Sequence, residues 1–130
     1  MITQYIIALG SNFNSELAFE IATQELYTLG DMVMSSKIIG KDFTGKTDRI
    51  YHNAVVFLRL FHLLDYDELN DILKNIEKQC GRNEDKMRVP MDLDILAFYE
   101  NDWQILSKRL PFKEHEKKGL SEVAPFLLKS

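Results

Sequence analysis

An α+β sandwich is the fold class that the sequence predicts, on three observations. Apolar runs of strand length recur at Tyr5–Leu9, Asn53–Phe61 and Leu93–Tyr99. Between them lie two stretches whose apolar residues fall at three- and four-residue intervals, the period of a helix. At 45% hydrophobic residues, a chain of 130 suits one domain built around one core.

The elements follow in order. Tyr5-Ile6-Ile7-Ala8-Leu9 is a buried first strand, closed by the turn Gly10-Ser11-Asn12. Asn14 or Ser15 caps a helix with Leu17, Ala18, Ile21, Ala22 and Leu26 on one side, and Gly30 stops it. Residues 32–39 read as a second strand, with Val33 and two isoleucines. The polar, glycine-punctuated stretch from Gly40 to Arg49 reads as a mobile loop. Asn53 to Phe61, dense in Val, Phe and Leu, is the third strand. Asp65 and Glu68 have capping-box spacing, and behind them Leu69, Ile72, Leu73, Ile76 and Cys80 line one side of a second helix. The run from Leu93 is the fourth strand. Strand, helix, strand, strand, helix, strand is satisfied by a ferredoxin-like βαββαβ sandwich, an antiparallel sheet with helices packed on one face. The predicted core spans about residues 1–100 of a single domain, 1–130. The tail 101–130 holds Trp103 and the charged stretch Lys113 to Lys118, and reads as less ordered.

Composition narrows the function classes. A formal net charge of −4 gives no bulk attraction to nucleic acid or anionic membrane. The lone Cys80 excludes an internal disulfide and a zinc site of several thiolates, and fits a reducing compartment. The start, Met1-Ile2-Thr3-Gln4, has no basic leader, and no apolar stretch approaches membrane-spanning length. A cytoplasmic protein that acts on small molecules is the expectation.

The chemistry concentrates in Asp92-Leu93-Asp94. Strand alternation sends both carboxylates to one face, and two like charges on a mostly buried strand need a cation. Magnesium carrying a nucleotide's phosphates is a natural one. The preceding loop, Gly81 to Arg88, holds Arg82, Lys86 and Arg88, which can meet phosphate oxygens. Glu77 lies one helical turn earlier, in reach of the ATP side or of Arg82. Tyr51 and Asn53 alternate onto one face of the third strand, an aromatic and a carboxamide suited to a flat heterocycle. Gly10 lets backbone approach such a ligand, although Gly10-Ser11-Asn12 is no P-loop.

Taken together, Ala8-Leu9-Gly10-Ser11-Asn12, Tyr51-x-Asn53-Ala54-Val55, Ile76-Glu77, Gly81-Arg82 and Asp92-Leu93-Asp94-Ile95 resemble the 6-hydroxymethyl-7,8-dihydropterin pyrophosphokinase family. The resemblance implies Mg-dependent transfer of pyrophosphate from ATP to the pterin's hydroxymethyl group, leaving AMP, in folate biosynthesis. It implies two magnesium ions on Asp92 and Asp94. Arg82 and Arg88 would be catalytic, and Glu77, Arg82, Lys86 and Arg88 would lie on the ATP side. Gly10, Tyr51 and Asn53 would hold the pterin.

The sequence also departs from that pattern. Where the family usually has Trp-Gly-Pro-Arg, two residues and then Asp-x-Asp, this chain has Arg88-Val89-Pro90-Met91-Asp92, with no loop tryptophan and no arginine after the proline. The C-terminal segment keeps Glu122-Val123-Ala124-Pro125 but has Lys118-Gly119-Leu120 where basic and aromatic residues are usual. A non-catalytic pterin- or nucleotide-binding homologue with a regulatory or partner role is therefore the alternative.

Overall fold

The computed structural model describes residues 2–41, 44–45 and 49–129. Its centre is a six-stranded antiparallel sheet ordered β2-β4-β1-β5-β6, with β3 also paired to β4. The strands are β1 (Gln4–Ser11), β2 (Gly30–Met34), β3 (Ile38–Lys41), β4 (Ile50–Leu60), β5 (Asp92–Glu100) and β6 (Asp102–Ile105). The helices are α1 (Ser15–Tyr27), α2 (Tyr66–Gln79) and α3 (Glu114–Val123). Without β3, β6 and α3 this is the predicted ferredoxin-like βαββαβ unit, with β1 and β4 at the sheet centre.

Alternation decides which residues each face buries. Tyr5, Ile7 and Leu9 of β1, Val56 and Leu58 of β4, and Leu93 and Ile95 of β5 point one way. They pack against Phe19 and Leu26 of α1 and Leu69, Leu73 and Ile76 of α2, so the two predicted helices do share one face. Each fully buried Leu or Ile there stabilises the fold by roughly 1.5–3 kcal/mol. The predicted capping box starts α2: the Glu68 N–H donates to Asp65 Oδ1 at 2.9 Å, and the Asp65 N–H donates to Glu68 Oε1 at 3.1 Å.

The tail departs from its expected looseness. It forms β6, a 3-10 turn at Ser107–Arg109, α3 and a second 3-10 turn at Pro125–Leu128. Leu120, Ala124 and Leu127 cover the other sheet face, over Ile6, Ala8, Val55 and Leu96. Gly119 makes that approach possible, since a Cβ there would overlap the Val55 side chain.

Three smaller expectations change. The strand predicted over 32–39 is two strands, because the Ser35 hydroxyl accepts the Val55 N–H at 2.9 Å and interrupts the ladder there. Gly30 does not stop α1, which ends at Tyr27; it opens β2, where a Cβ would overlap the Arg59 carbonyl of β4. Asn14 holds the cap position of α1 in the left-handed region (φ 49°) and makes no side-chain cap bond. Much of the loop predicted between Gly40 and Arg49 (residues 42, 43 and 46–48) lies outside the described residues.

Candidate active site

The site grows from the face of the sheet that α3 covers. Because Leu93 and Ile95 face α1 and α2, Asp92 and Asp94 face the other way. Cross-strand register then fixes their neighbours. Gly10 pairs with Asn53 on one side and Asp92 on the other; Ala8 pairs with Val55 and with Asp94. Two small residues thus form a floor between a carboxamide wall and a carboxylate wall, two strand spacings or about 10 Å apart. Gly10 leaves the carboxamide its place: a Cβ there would lie 3.1 Å from Asn53 Oδ1, so the side chain would have to shift by a few tenths of an ångström. A register shift between Ile6 and Ile7 bulges β5 just past Asp94, a common device beside sites.

Above the floor is a cavity of about 300 Å³. Of the sequence-predicted residues, it is lined by Gly10, Tyr51, Asn53, Arg82, Lys86, Asp92 and Asp94. Glu77 and Arg88 are elsewhere. Glu77 is buried beneath the start of β5, where Oε2 accepts the Leu93 N–H at 2.8 Å and the Lys74 ammonium at 3.2 Å. Arg88 is more than half exposed, 3.9 Å from Asp85 and over the Phe13 ring. Asp85 also accepts the Met87 and Arg88 N–H groups, so this loop residue shapes the turn, and its carboxyl is held below the usual range by those bonds.

The carboxylate pair has resident cations. Arg82 Nη1 lies 3.5 Å from Asp92 Oδ1 and 3.8 Å from Glu77 Oε1, and it donates to the Met91 carbonyl at 2.9 Å. Arg109 Nη2 donates to Asp94 Oδ1 at 3.1 Å. Burial still pushes the Asp94 carboxyl above its ordinary range, with Asp92 adding to the push and Arg109 opposing it. Two arginines therefore supply the neutralisation that the sequence argument assigned to a metal. Charge balance by itself does not require one.

Donor chemistry nevertheless fits magnesium. Among the described residues no group of three or more His, Cys, Asp or Glu is placed to hold an ion. A two-carboxylate site leaves most of the shell to water and substrate oxygens, which is how Mg²⁺ is commonly held beside nucleotides.

Four further contributors were not among the residues that the sequence assigned to the site. Arg109 comes from the tail. Lys113 and His115, at the start of α3, line the cavity; burial lowers the His115 pKa, Glu116 opposing the shift and Lys113 reinforcing it. Asn12 is buried and bonds the loop 82–90 through Met87 and Val89.

A ferredoxin-like sheet that opposes an aromatic and a carboxamide to paired carboxylates defines a small-molecule site. The chain belongs to the 7,8-dihydro-6-hydroxymethylpterin-pyrophosphokinase family, whose model matches residues 6–125. At family level this is a pterin pyrophosphokinase of folate biosynthesis. A search among curated proteins finds no match. No helix among the described residues is long and apolar enough to cross a membrane.

Proposed function

We propose that the protein transfers pyrophosphate from ATP to the hydroxymethyl group of 6-hydroxymethyl-7,8-dihydropterin. The observation that carries this reading is the floor of Gly10 and Ala8, with Asn53 on one side and Asp92 and Asp94 on the other. In the balanced reaction the pterin hydroxyl oxygen bonds to the β-phosphorus of ATP. The bond from that phosphorus to the α–β bridging oxygen breaks, AMP leaves, and the hydroxyl proton goes to solvent.

Each residue then has a task. Asn53 hydrogen-bonds the pterin edge and Tyr51 lies against its ring, with backbone at Gly10 completing the pocket. Asp92 and Asp94 hold the metal, two Mg²⁺ ions in this reading. Bound magnesium would neutralise phosphate charge and align the two substrates. Arg82 and Lys86, both lining the cavity, serve the ATP side. Glu77 serves it indirectly, by holding the Leu93 amide and so the start of the aspartate strand. Arg88 joins only if the loop turns it inward from Asp85. The whole chain is taken as one domain, since α3 covers the second face of the sheet that α1 and α2 cover on the first. A cytoplasmic location accompanies an ATP-dependent reaction, and the free Cys80 thiol is consistent with it.

A non-catalytic pterin or nucleotide binder is the second reading. It is favoured by the placement of Arg88 away from the cavity and by the arginines already paired with both aspartates. The deciding experiment is AMP release from Mg-ATP, with and without the pterin, beside an Asp92→Ala, Asp94→Ala double variant. Pterin-dependent AMP that vanishes in the variant is the expected result. No AMP above the variant's background would overturn the catalytic reading and leave the binder.

A further inference from the structure

Arg109 ends the 3-10 turn after β6 and reaches back over β5. Its Nη2 donates to Asp94 Oδ1 at 3.1 Å, while its Nε donates to the carbonyl of Ile95 at 3.2 Å. One planar group therefore holds the side chain of one residue and the backbone of the next. A guanidinium carries its donors in a fixed fork, so two anchor points define where the carboxylate sits relative to its strand. The turn is itself tied to the bulged part of β5: the Leu106 N–H donates to the Leu96 carbonyl at 3.0 Å, and the Arg109 N–H donates to the Leu106 carbonyl at 2.9 Å.

The other aspartate is held differently. Arg82 stands 3.5 Å from Asp92 but gives its hydrogen bond to the Met91 carbonyl. The Asp92 side chain is 43% exposed, against 24% for Asp94. Arg82 faces Asp92 as a charge at 3.5 Å, whereas Arg109 gives Asp94 both a charge and a hydrogen bond.

We infer that Arg109 is a positioning residue: it occupies one oxygen of Asp94 and so presents the other, in a set orientation, as a single ligand to a divalent cation carrying a nucleotide. The inference rests on the reading that Asp92 and Asp94 receive that cation. Its sign separates it from a simple charge effect. A guanidinium beside a metal ligand repels the metal, so deleting it for charge reasons alone would tighten cation binding. Deleting a positioning group weakens it.

The probe is Mn²⁺ with a non-hydrolysable α,β-methylene analogue of ATP, followed by electron paramagnetic resonance and calorimetry in wild type, Arg109→Met and Arg109→Lys. Loss of an outer partner of a metal ligand costs about 10–100-fold in metal affinity, and that weakening is expected in both variants. Lysine is expected to rescue nothing, because it keeps the charge and loses the fork. Trp103 fluorescence and thermal unfolding report whether each variant folds; should Arg109→Met fail, Arg109→Lys decides by the same readout. Unchanged or tighter binding in Arg109→Met, or wild-type binding in Arg109→Lys, overturns the inference and leaves the pyrophosphokinase reading standing. Failure of the wild-type protein to bind the Mn²⁺–nucleotide complex overturns both.

Discussion

Asn12 and Val89 are joined in both directions: the Val89 N–H donates to Asn12 Oδ1 at 2.6 Å, and the Asn12 backbone N–H donates to the Val89 carbonyl at 2.9 Å. Asn12 Nδ2 also donates to the Met87 carbonyl at 3.0 Å. The residue that ends the first strand's turn thus pins the far end of the loop carrying Arg82 and Lys86. Both Asn12 and Val89 are buried, so Asn12→Ala leaves a buried amide without its acceptor. The expected cost is roughly 1–3 kcal/mol. Urea unfolding measures it, and amide exchange at Val89 should accelerate well beyond exchange at core positions such as Ile7. An unchanged Val89 exchange rate would show that the loop is held by something else.

Gly10 and Asn53 make a second pair with a functional reading. Gly10→Ala puts a Cβ 3.1 Å from Asn53 Oδ1, so the carboxamide must move while the strand stays paired. Pterin affinity should fall by up to about tenfold, the worth of a hydrogen bond of 0.5–1.5 kcal/mol. Affinity for the ATP analogue should stay put. Asn53→Ala added to Gly10→Ala should cost little more, because both changes remove one interaction. Additive losses in titration calorimetry would mean that Gly10 acts independently of Asn53.

How much of this was legible depends on how far apart the interacting residues lie. Strand alternation places Asp92 with Asp94 and Tyr51 with Asn53, and the Asp65–Glu68 cap is a local pattern; both can be read without coordinates, whereas the register that brings the two pairs to either side of Gly10 cannot. Arg109, Asn12 and the break at Ser35 act through contacts far along the chain, and no local pattern announces them. The second helical face was a different kind of miss. Ile6-Ile7, Ala54 to Leu58 and Leu93 to Phe98 are continuous rather than alternating apolar runs, a sign of strands buried on both faces. Something had to cover the second face, and the tail, set aside for its charge, was the remaining stretch able to do so. Three of its apolar residues, Leu120, Ala124 and Leu127, fall at helical intervals, and Phe112 joins them in covering that face.

Glu77 supports the aspartate strand from beneath. Its carboxylate accepts the Leu93 N–H on the edge of β5 that β6 does not reach, since β6 pairs only with Ala97 to Glu100. Glu77→Ala leaves that amide unpartnered and removes a counter-charge from Lys74 and Arg82. A loss of roughly 1–3 kcal/mol is expected from the amide. The Lys74 pair, half exposed on the lysine side, adds little. Glu77→Gln keeps an acceptor oxygen and should recover most of the stability. Equal destabilisation by Ala and Gln in denaturant titrations would instead assign the effect to charge.

His115 gives the fold a pH dependence whose sign can be worked out. Burial holds its imidazole below the ordinary pKa, against the pull of Glu116 and with the help of Lys113. The folded protein therefore disfavours the protonated ring more than the unfolded chain does. As pH falls below the unfolded value of about 6.5, the unfolded state takes up a proton that the folded state resists, and stability drops. The loss continues until pH passes below the folded pKa, after which His115 adds no further slope. His115→Asn removes this component, so the variant's unfolding free energy should change less between pH 7.5 and 5.5 than the wild type's. Carboxylates held low in the fold, such as Asp85 and Glu122, lose their contributions only at more acidic pH, as they are protonated. Urea titrations at the two pH values give the comparison, and parallel pH profiles for wild type and variant would assign the slope to other groups.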